Sequence, residues 1–339
     1  DSPCGYAETT MLTAVFSLAG ALVFGAADFL GGLAAKRVSA ILATAVAALS
    51  GFVVLLAAYP LLGGAWSEHD VWWGILSGIT GAIAISLLYA CLAIGPMSIL
   101  SPLTAVVSAV VPMIWGLLVT GERFAALGYW ALGLALLAVV LVGFVPEKGA
   151  VRPSMRGVLM AIGSGIAIGG FYITIDQTSD ESGVVPLILN RGVNATIMFS
   201  VLGVLAVVGA VRARATADRQ RTRTAAMVPG ERMLRAESLV DAPAAPGAGV
   251  PLAGAARRTS ATAAGVRLAI ACGIVDVVAN ALLLFGIRAG DLSVAAVLGA
   301  MYPAGTILLA ALVLRERIAP VQWVGLVLAL AAAGMLAVA

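Results

Sequence analysis

Three ionisable side chains, Asp28, Arg191 and Asp276, lie inside long apolar runs of the sequence. A charged side chain in hydrocarbon costs at least about 2.5 kcal/mol, so it normally faces a partner or a water-filled cavity. Two carboxylates and one guanidinium leave one acid without a counter-charge. Such a carboxylate can carry a proton or bind a cation, and this is the chemistry that the three residues predict.

Polar and aromatic residues near these charges in the sequence could contact a small molecule. The four-residue spacing of Asp276 and Asn280 places them on one helix face, and Asn190 is adjacent to Arg191. The full set of candidate substrate- or proton-binding residues is Asp28, Asp276, Arg191, Asn280, Asn190, Tyr172, Tyr89, Tyr302 and Trp115. For each aromatic residue, a place in the core or at the membrane interface is the alternative.

A purely structural role for the charges is the main alternative, for example as a buried ion pair between Asp276 and Arg191. We favour a functional role for Asp28, because Gly25 and Gly31 lie on its helix face. Such small residues suit close helix packing rather than contact with lipid. For Asp276 and Arg191 both interpretations stay open.

The elements that must position these residues are membrane-spanning helices. The chain is 61% hydrophobic and 11% charged, which is typical of an integral membrane protein. A helix needs about 20 apolar residues to cross roughly 30 Å of hydrocarbon. Runs of suitable length predict an all-α fold with ten spans, at 12–35, 39–62, 71–94, 98–120, 124–145, 157–176, 183–211, 266–288, 292–314 and 318–338.

The chain also repeats itself. Residues 73–123 align with 268–317, and GALVFGAADF in the first span aligns with SGIAIGGFYI in the sixth, which places Asp28 opposite Tyr172. Five helices per half is an odd number, so the halves must enter the membrane from opposite sides. Inverted repeats of this kind are typical of transporters, whose substrate site lies near the midplane. We therefore predict two inverted five-helix repeats, 12–145 and 157–338.

Two segments fall outside the repeats. Residues 1–11 are treated as a leader without an assigned function. Residues 212–265 form a basic insert, with ten basic and four acidic residues between Arg212 and Arg267, and its composition predicts disorder. The insert is interpreted either as a tolerated linker or as a polybasic patch that binds anionic lipid headgroups.

Each half closes with a similar element, GERFAALGYWALG from Gly121 and RERIAPVQWVG from Arg315. Ten helices in two halves that end in this way resemble the EamA-type members of the drug/metabolite transporter superfamily. The resemblance covers residues 12 to 338 apart from the insert. It implies transport of metabolites, amino acids or drugs, often outward, and it names no substrate. Within the GER element, Glu122 and Arg123 are expected to pair at a helix boundary.

The side of the membrane on which each loop lies is predicted from positive charge, because cytoplasmic loops collect Lys and Arg. Outside the insert, seven basic residues fall in the connections of one side and two in those of the other: Lys36, Arg37, Lys148, Arg152, Arg156, Arg315 and Arg317 against Arg123 and Arg288. This predicts a multi-pass protein of the cytoplasmic membrane with both termini outside, whereas EamA-type transporters usually have them inside.

These features together predict a secondary active transporter of a small metabolite, amino acid or drug-like solute, with proton-coupled export by alternating access. The alternatives are a membrane-embedded enzyme and a non-transporting scaffold or regulator. We expect no enzymatic activity, cofactor or metal, because the sequence has no P-loop, no metal-ligand spacing and no Ser-His pair that could share a site. The expected partners are a small-molecule substrate, the lipid bilayer and protons, without nucleic acid, in a monomer or homodimer.

Overall fold

The computed structural model describes residues 3–94, 97–143, 154–226, 251–313, 315 and 318–336. Within these ranges all regular structure is helical, which confirms the predicted all-α fold. The helices are α1 Pro3–Ala35, α2 Ala40–Leu62, α3 Glu68–Ile94, α4 Met97–Trp115, α5 Ala126–Gly143, α6 Met155–Asp176, α7 Val185–Ala226, α8 Pro251–Ala289, α9 Leu292–Gly299, α10 Tyr302–Val313 and α11 Pro320–Leu336. A π-helical turn, Gly116–Thr120, continues α4.

Nine helical stretches in the described part of the chain are long and apolar enough to cross a membrane. One of them, Leu292–Val313, consists of α9 and α10 in series, with a break at Ala300 and Met301. The apolar helix α11 is slightly shorter, with 17 residues. Each of the ten predicted spans therefore corresponds to a helix or to a pair of helices in series.

The structure differs from the sequence prediction at both segments outside the repeats. Helix α1 begins at Pro3, so most of the stretch assigned to a leader continues the first helix. Disorder is predicted over 212–265, whereas in the structure α7 runs to Ala226 and α8 begins at Pro251, so both ends of the insert are helical. Ala and Arg are strong helix formers, and they extend both helices beyond the apolar runs. The middle of the insert lies outside the described residues.

The helix contacts follow a symmetric pattern. Helix α1 packs on α8 and on α9–α10, and α6 packs on α3 and α4 in the corresponding way. The contact of α2 with α8 is equivalent to the contact of α7 with α3. Two further contacts, α2 with α7 and α5 with α11, each join a helix of one half to its equivalent in the other half. Exchange of the first five membrane segments with the last five maps these contacts onto one another. This pattern supports the proposal of two repeats.

Some of the close approaches between the halves occur at a pair of glycines that the two repeats share. Gly25 on α1 faces the backbone of α10 at Thr306, and Gly169 on α6 faces Val111 on α4. Val111 and Thr306 occupy the same position in the aligned segments 73–123 and 268–317. Without a side chain at these two positions, helices of opposite halves can approach closely.

Gly25→Ala is expected to lower the thermal stability of the detergent-solubilised protein strongly. An added Cβ would overlap the backbone of α10, and overpacking of this kind costs about 1–3 kcal/mol or more. Gly32→Ala on the same helix is the matched control, because its Cβ would meet nothing within 4 Å. The control should be neutral or gain up to about 1 kcal/mol from helix propensity. Equal melting temperatures for the two variants would contradict close packing at Gly25.

Candidate functional site

A cavity of about 180 Å³ lies where α1, α3, α6, α7, α8 and α10 meet. Helices α1 and α3 belong to the first half, and the other four belong to the second. The cavity is lined by Phe24, Asp28, Gly81, Ala84, Ile85, Leu88, Ile168, Phe171, Tyr172, Asn190, Arg191, Asn194, Asp276, Asn280 and Tyr302. It therefore lies between the two halves, where inverted repeats place a substrate site.

The cavity brings together most of the residues that the sequence singled out. Those that line it are Asp28, Asp276, Arg191, Asn280, Asn190, Tyr172 and Tyr302. Trp115 does not line it: this side chain is half-buried against the core, and its buried Nε1 has no hydrogen-bond partner among the described residues. Tyr89 is part of α3, but its side chain lies outside the described residues.

Several apolar residues of the cavity wall are absent from the candidates predicted from the sequence. Phe24 lies one helical turn before Asp28, and Ile168 lies one turn before Tyr172. Because residues four apart share a helix face, this spacing was a usable signal. Ile85 on α3 likewise lies four residues before Tyr89, whereas Ala84 has no charged or aromatic residue three or four positions away, and only the packing of the helices reveals it.

Two of the three intramembrane charges neutralise one another. The Nη2 of Arg191 on α7 contacts Oδ2 of Asp276 on α8 in an ion pair. Asn280 donates from Nδ2 to the backbone oxygen of Asp276 at 2.7 Å, and Asn190 donates from Nδ2 to Oγ of Ser77 at 3.2 Å. Arg191 is only 8% exposed, so its guanidinium is buried as well as paired with Asp276.

Asp28 is the carboxylate that remains. Its side chain is exposed and lines the cavity, and within the described ranges it forms no hydrogen bond or ion pair. Asp276 and Tyr302 line the same cavity from α8 and α10. With both carboxylates ionised and Arg191 positive, these three charges sum to one negative charge. The cavity therefore presents an accessible acid beside a neutralised pair.

Loops of both halves meet at one face of the bundle, which we call the Arg288 face; it comprises residues 63–70, 177–184 and 288. Ser179 donates to Asp70 through its backbone N at 2.7 Å and its Oγ at 2.8 Å. Arg288 donates to the backbone oxygens of Ser179 and Gly183, both at 2.9 Å. This network is not predicted from the sequence, although the pattern Ser67-x-x-Asp70 resembles a helix N-terminal capping motif.

Glu122 adds a second link between the halves near the same end of the bundle. Its carboxylate accepts hydrogen bonds from the backbone N of Leu292 at 2.8 Å and of Ser293 at 3.2 Å. It thus caps the first turn of α9, and the expected pairing with Arg123 is not among the ion pairs of the described residues. Burial raises the pKa of Glu122 above its usual value, while the hydrogen bonds from Ser293 and Leu292 oppose this shift.

Known proteins are similar to this chain in two ways: a family model matches its last part, and a solved structure shares its fold. Residues 247–338 match the model of the EamA-like transporter family, which is part of the drug/metabolite transporter superfamily, and this match confirms the predicted resemblance over these residues. No curated protein matches the chain. A solved structure described only as "Crystal structure of protein" is similar over 95% of this chain and 97% of that chain, with a TM-score of 0.61 and 15% identity. At this identity the likeness shows the fold alone.

Proposed function

We propose that this protein is a secondary transporter, which moves a small solute through the cavity between its halves by alternating access and couples that movement to protons at Asp28. The match of residues 247–338 supports the coarser statement, a membrane transporter of small solutes. The observation that carries the proposal is an unpaired, accessible carboxylate in a cavity built by both repeats. Intramembrane acids of this kind mark ion and proton pathways in membrane proteins.

Alternating access requires that the two faces of the bundle open in turn. At the Arg288 face, the bonds from Ser179 to Asp70 join a helix of the first half to a loop of the second. Glu122 likewise holds α9 of the second half from a loop of the first. Opening this face requires these bonds to break, so we interpret the present conformation as the one in which the Arg288 face is closed.

Protonation of Asp28 is the proposed step that links proton movement to solute movement. A ligand shifts a conformational equilibrium only through different interaction free energies with the two states. Gain of a proton removes the negative charge of Asp28, and thereby changes what the cavity binds. A scaffold would not need an accessible acid between two repeats, and the match of residues 247–338 to a transporter family fits a non-enzymatic role.

Reconstitution into liposomes with an imposed pH gradient tests the proposal. Labelled metabolites, amino acids and drug-like solutes should include at least one whose flux follows the gradient and stops when a protonophore collapses it. Liposomes that contain Asp28→Asn protein are the matched control, because this variant keeps the shape of the side chain. Gradient-independent leakage, or no flux for any solute class, would contradict the proposal.

The orientation proposed from charge can be tested separately by thiol labelling. Ala215→Cys lies on the exposed, arginine-bearing end of α7, and Glu181→Cys lies exposed on the Arg288 face. In an otherwise cysteine-free protein in intact cells, an impermeant thiol reagent should label the cysteine at position 181 and spare the one at 215, since basic loops are cytoplasmic. The reverse pattern would show that both termini lie inside, as in most EamA-type transporters.

A further inference from the structure

The charge of the cavity restricts the solute that can bind there. Asp28 is exposed to the cavity without a partner, whereas the two other charges cancel as an ion pair. We infer that the solute is a small organic cation, an amine with a compact apolar or aromatic body, whose ammonium group binds the carboxylate of Asp28. This inference rests on the proposed transport function and adds the substrate class of the same site.

An anionic or zwitterionic solute fits the cavity less well. Its carboxylate would need a cation, and Arg191 is the basic residue that lines the cavity among the described side chains. That guanidinium is only 8% exposed and is bound to Asp276, so a solute carboxylate would have to displace a buried ion pair. Separating such a pair leaves an uncompensated charge, which costs about 3–5 kcal/mol.

The remaining walls suit the body of such an amine. Phe24, Phe171, Tyr172 and Tyr302 supply four aromatic rings from three helices. Aromatic faces attract ammonium groups by about 0.5–2 kcal/mol each, and they also pack against apolar rings. An apolar cavity of about 150 Å³ holds one benzene ring. The volume of about 180 Å³ therefore accommodates one ring with a short aminomethyl arm.

Three probes of similar size test the charge preference directly: benzylamine, benzyl alcohol and benzoate. Each has one benzene ring and a short polar arm, so they differ mainly in charge. Calorimetric titration into purified protein in detergent, at neutral pH, should show that benzylamine binds about tenfold or more tightly than either other probe. Tightest binding of benzoate or of the alcohol, or no binding of any probe, would overturn the inference.

Two variants connect the preference to Asp28. Asp28→Asn should weaken benzylamine binding about tenfold or more and leave benzyl alcohol binding unchanged, because only the charged partner is lost. Asp176→Asn is the matched control: this carboxylate lies at the end of α6, outside the cavity lining, and accepts a hydrogen bond from Gln177. Melting curves verify that each variant is folded. Unchanged amine affinity in folded Asp28→Asn protein would contradict the assignment.

Failure of the inference and failure of the transport proposal give different results. Tight amine binding without solute flux in liposomes would support the cation site and contradict the transporter. Proton-coupled flux of a neutral or anionic solute, without amine binding, would support the transporter and overturn the cation site.

Discussion

Asp28→Asn is expected to lower the rate of proton-coupled transport about 100-fold or more, while the protein still folds. Asparagine preserves the shape of the side chain but can neither release a proton nor carry a negative charge. Asp28 forms no hydrogen bond or ion pair within the described part of the chain, so its replacement breaks no structural contact there. A loss of this size without a loss of stability separates a functional carboxylate from a packing residue.

The measurement is the initial rate of solute flux in liposomes at several pH values, with melting curves of the same preparations. The charged and titratable groups that line the cavity with Asp28 or lie beside it are Asp276 and Cys272 on α8, Arg191 on α7, Tyr302 on α10 and Tyr172 on α6. Asp176→Asn leaves all of them in place and should keep the wild-type rate. A wild-type rate and pH profile for Asp28→Asn would show that Asp28 takes no part in coupling.

Much of the site follows from the sequence because helix geometry in a membrane is constrained. Asp28 lies eight residues before Lys36, and Asp276 lies nine after Arg267, which at 1.5 Å per residue puts both roughly 12–14 Å from one face. Arg191, ten residues beyond Glu181, enters from the opposite face to a similar depth. Residues of equal depth on neighbouring helices can meet, and in the structure all three line one cavity.

Depth along a helix does not determine which way a side chain points. Trp115 was selected for its type and its place in a span, yet the packing of α4 turns it toward the core. The rotation of each helix depends on its contacts with helices far away in sequence. The bonds of Glu122 and Arg288 could not be predicted for the same reason, because their partners lie more than a hundred residues away along the chain. The repeat predicts that such loops are equivalent, but it does not predict which atoms bond.

The Arg191–Asp276 ion pair is expected to show strong coupling in a double-mutant cycle. Arg191→Gln leaves the Asp276 carboxylate without its counter-charge, and Asp276→Asn leaves a buried guanidinium. Either change should destabilise the protein by about 3–5 kcal/mol, because each strands a charge in a low-dielectric setting. The double variant places two neutral amides in contact, which can hydrogen-bond, so it should recover most of the lost stability.

Thermal unfolding of the four proteins in detergent measures this coupling, and additive losses would contradict a direct interaction. Transport by the double variant then decides between the two interpretations of the pair. If the pair only joins α7 to α8, the folded double variant should transport at a rate close to wild type. The pair could instead also tune Asp28. Removal of both members leaves the net charge of the cavity at minus one, but it removes the electrostatic effect of Arg191 and Asp276 on Asp28. The double variant should then remain folded and transport with an altered pH profile, because Asp276 and Arg191 no longer act on Asp28.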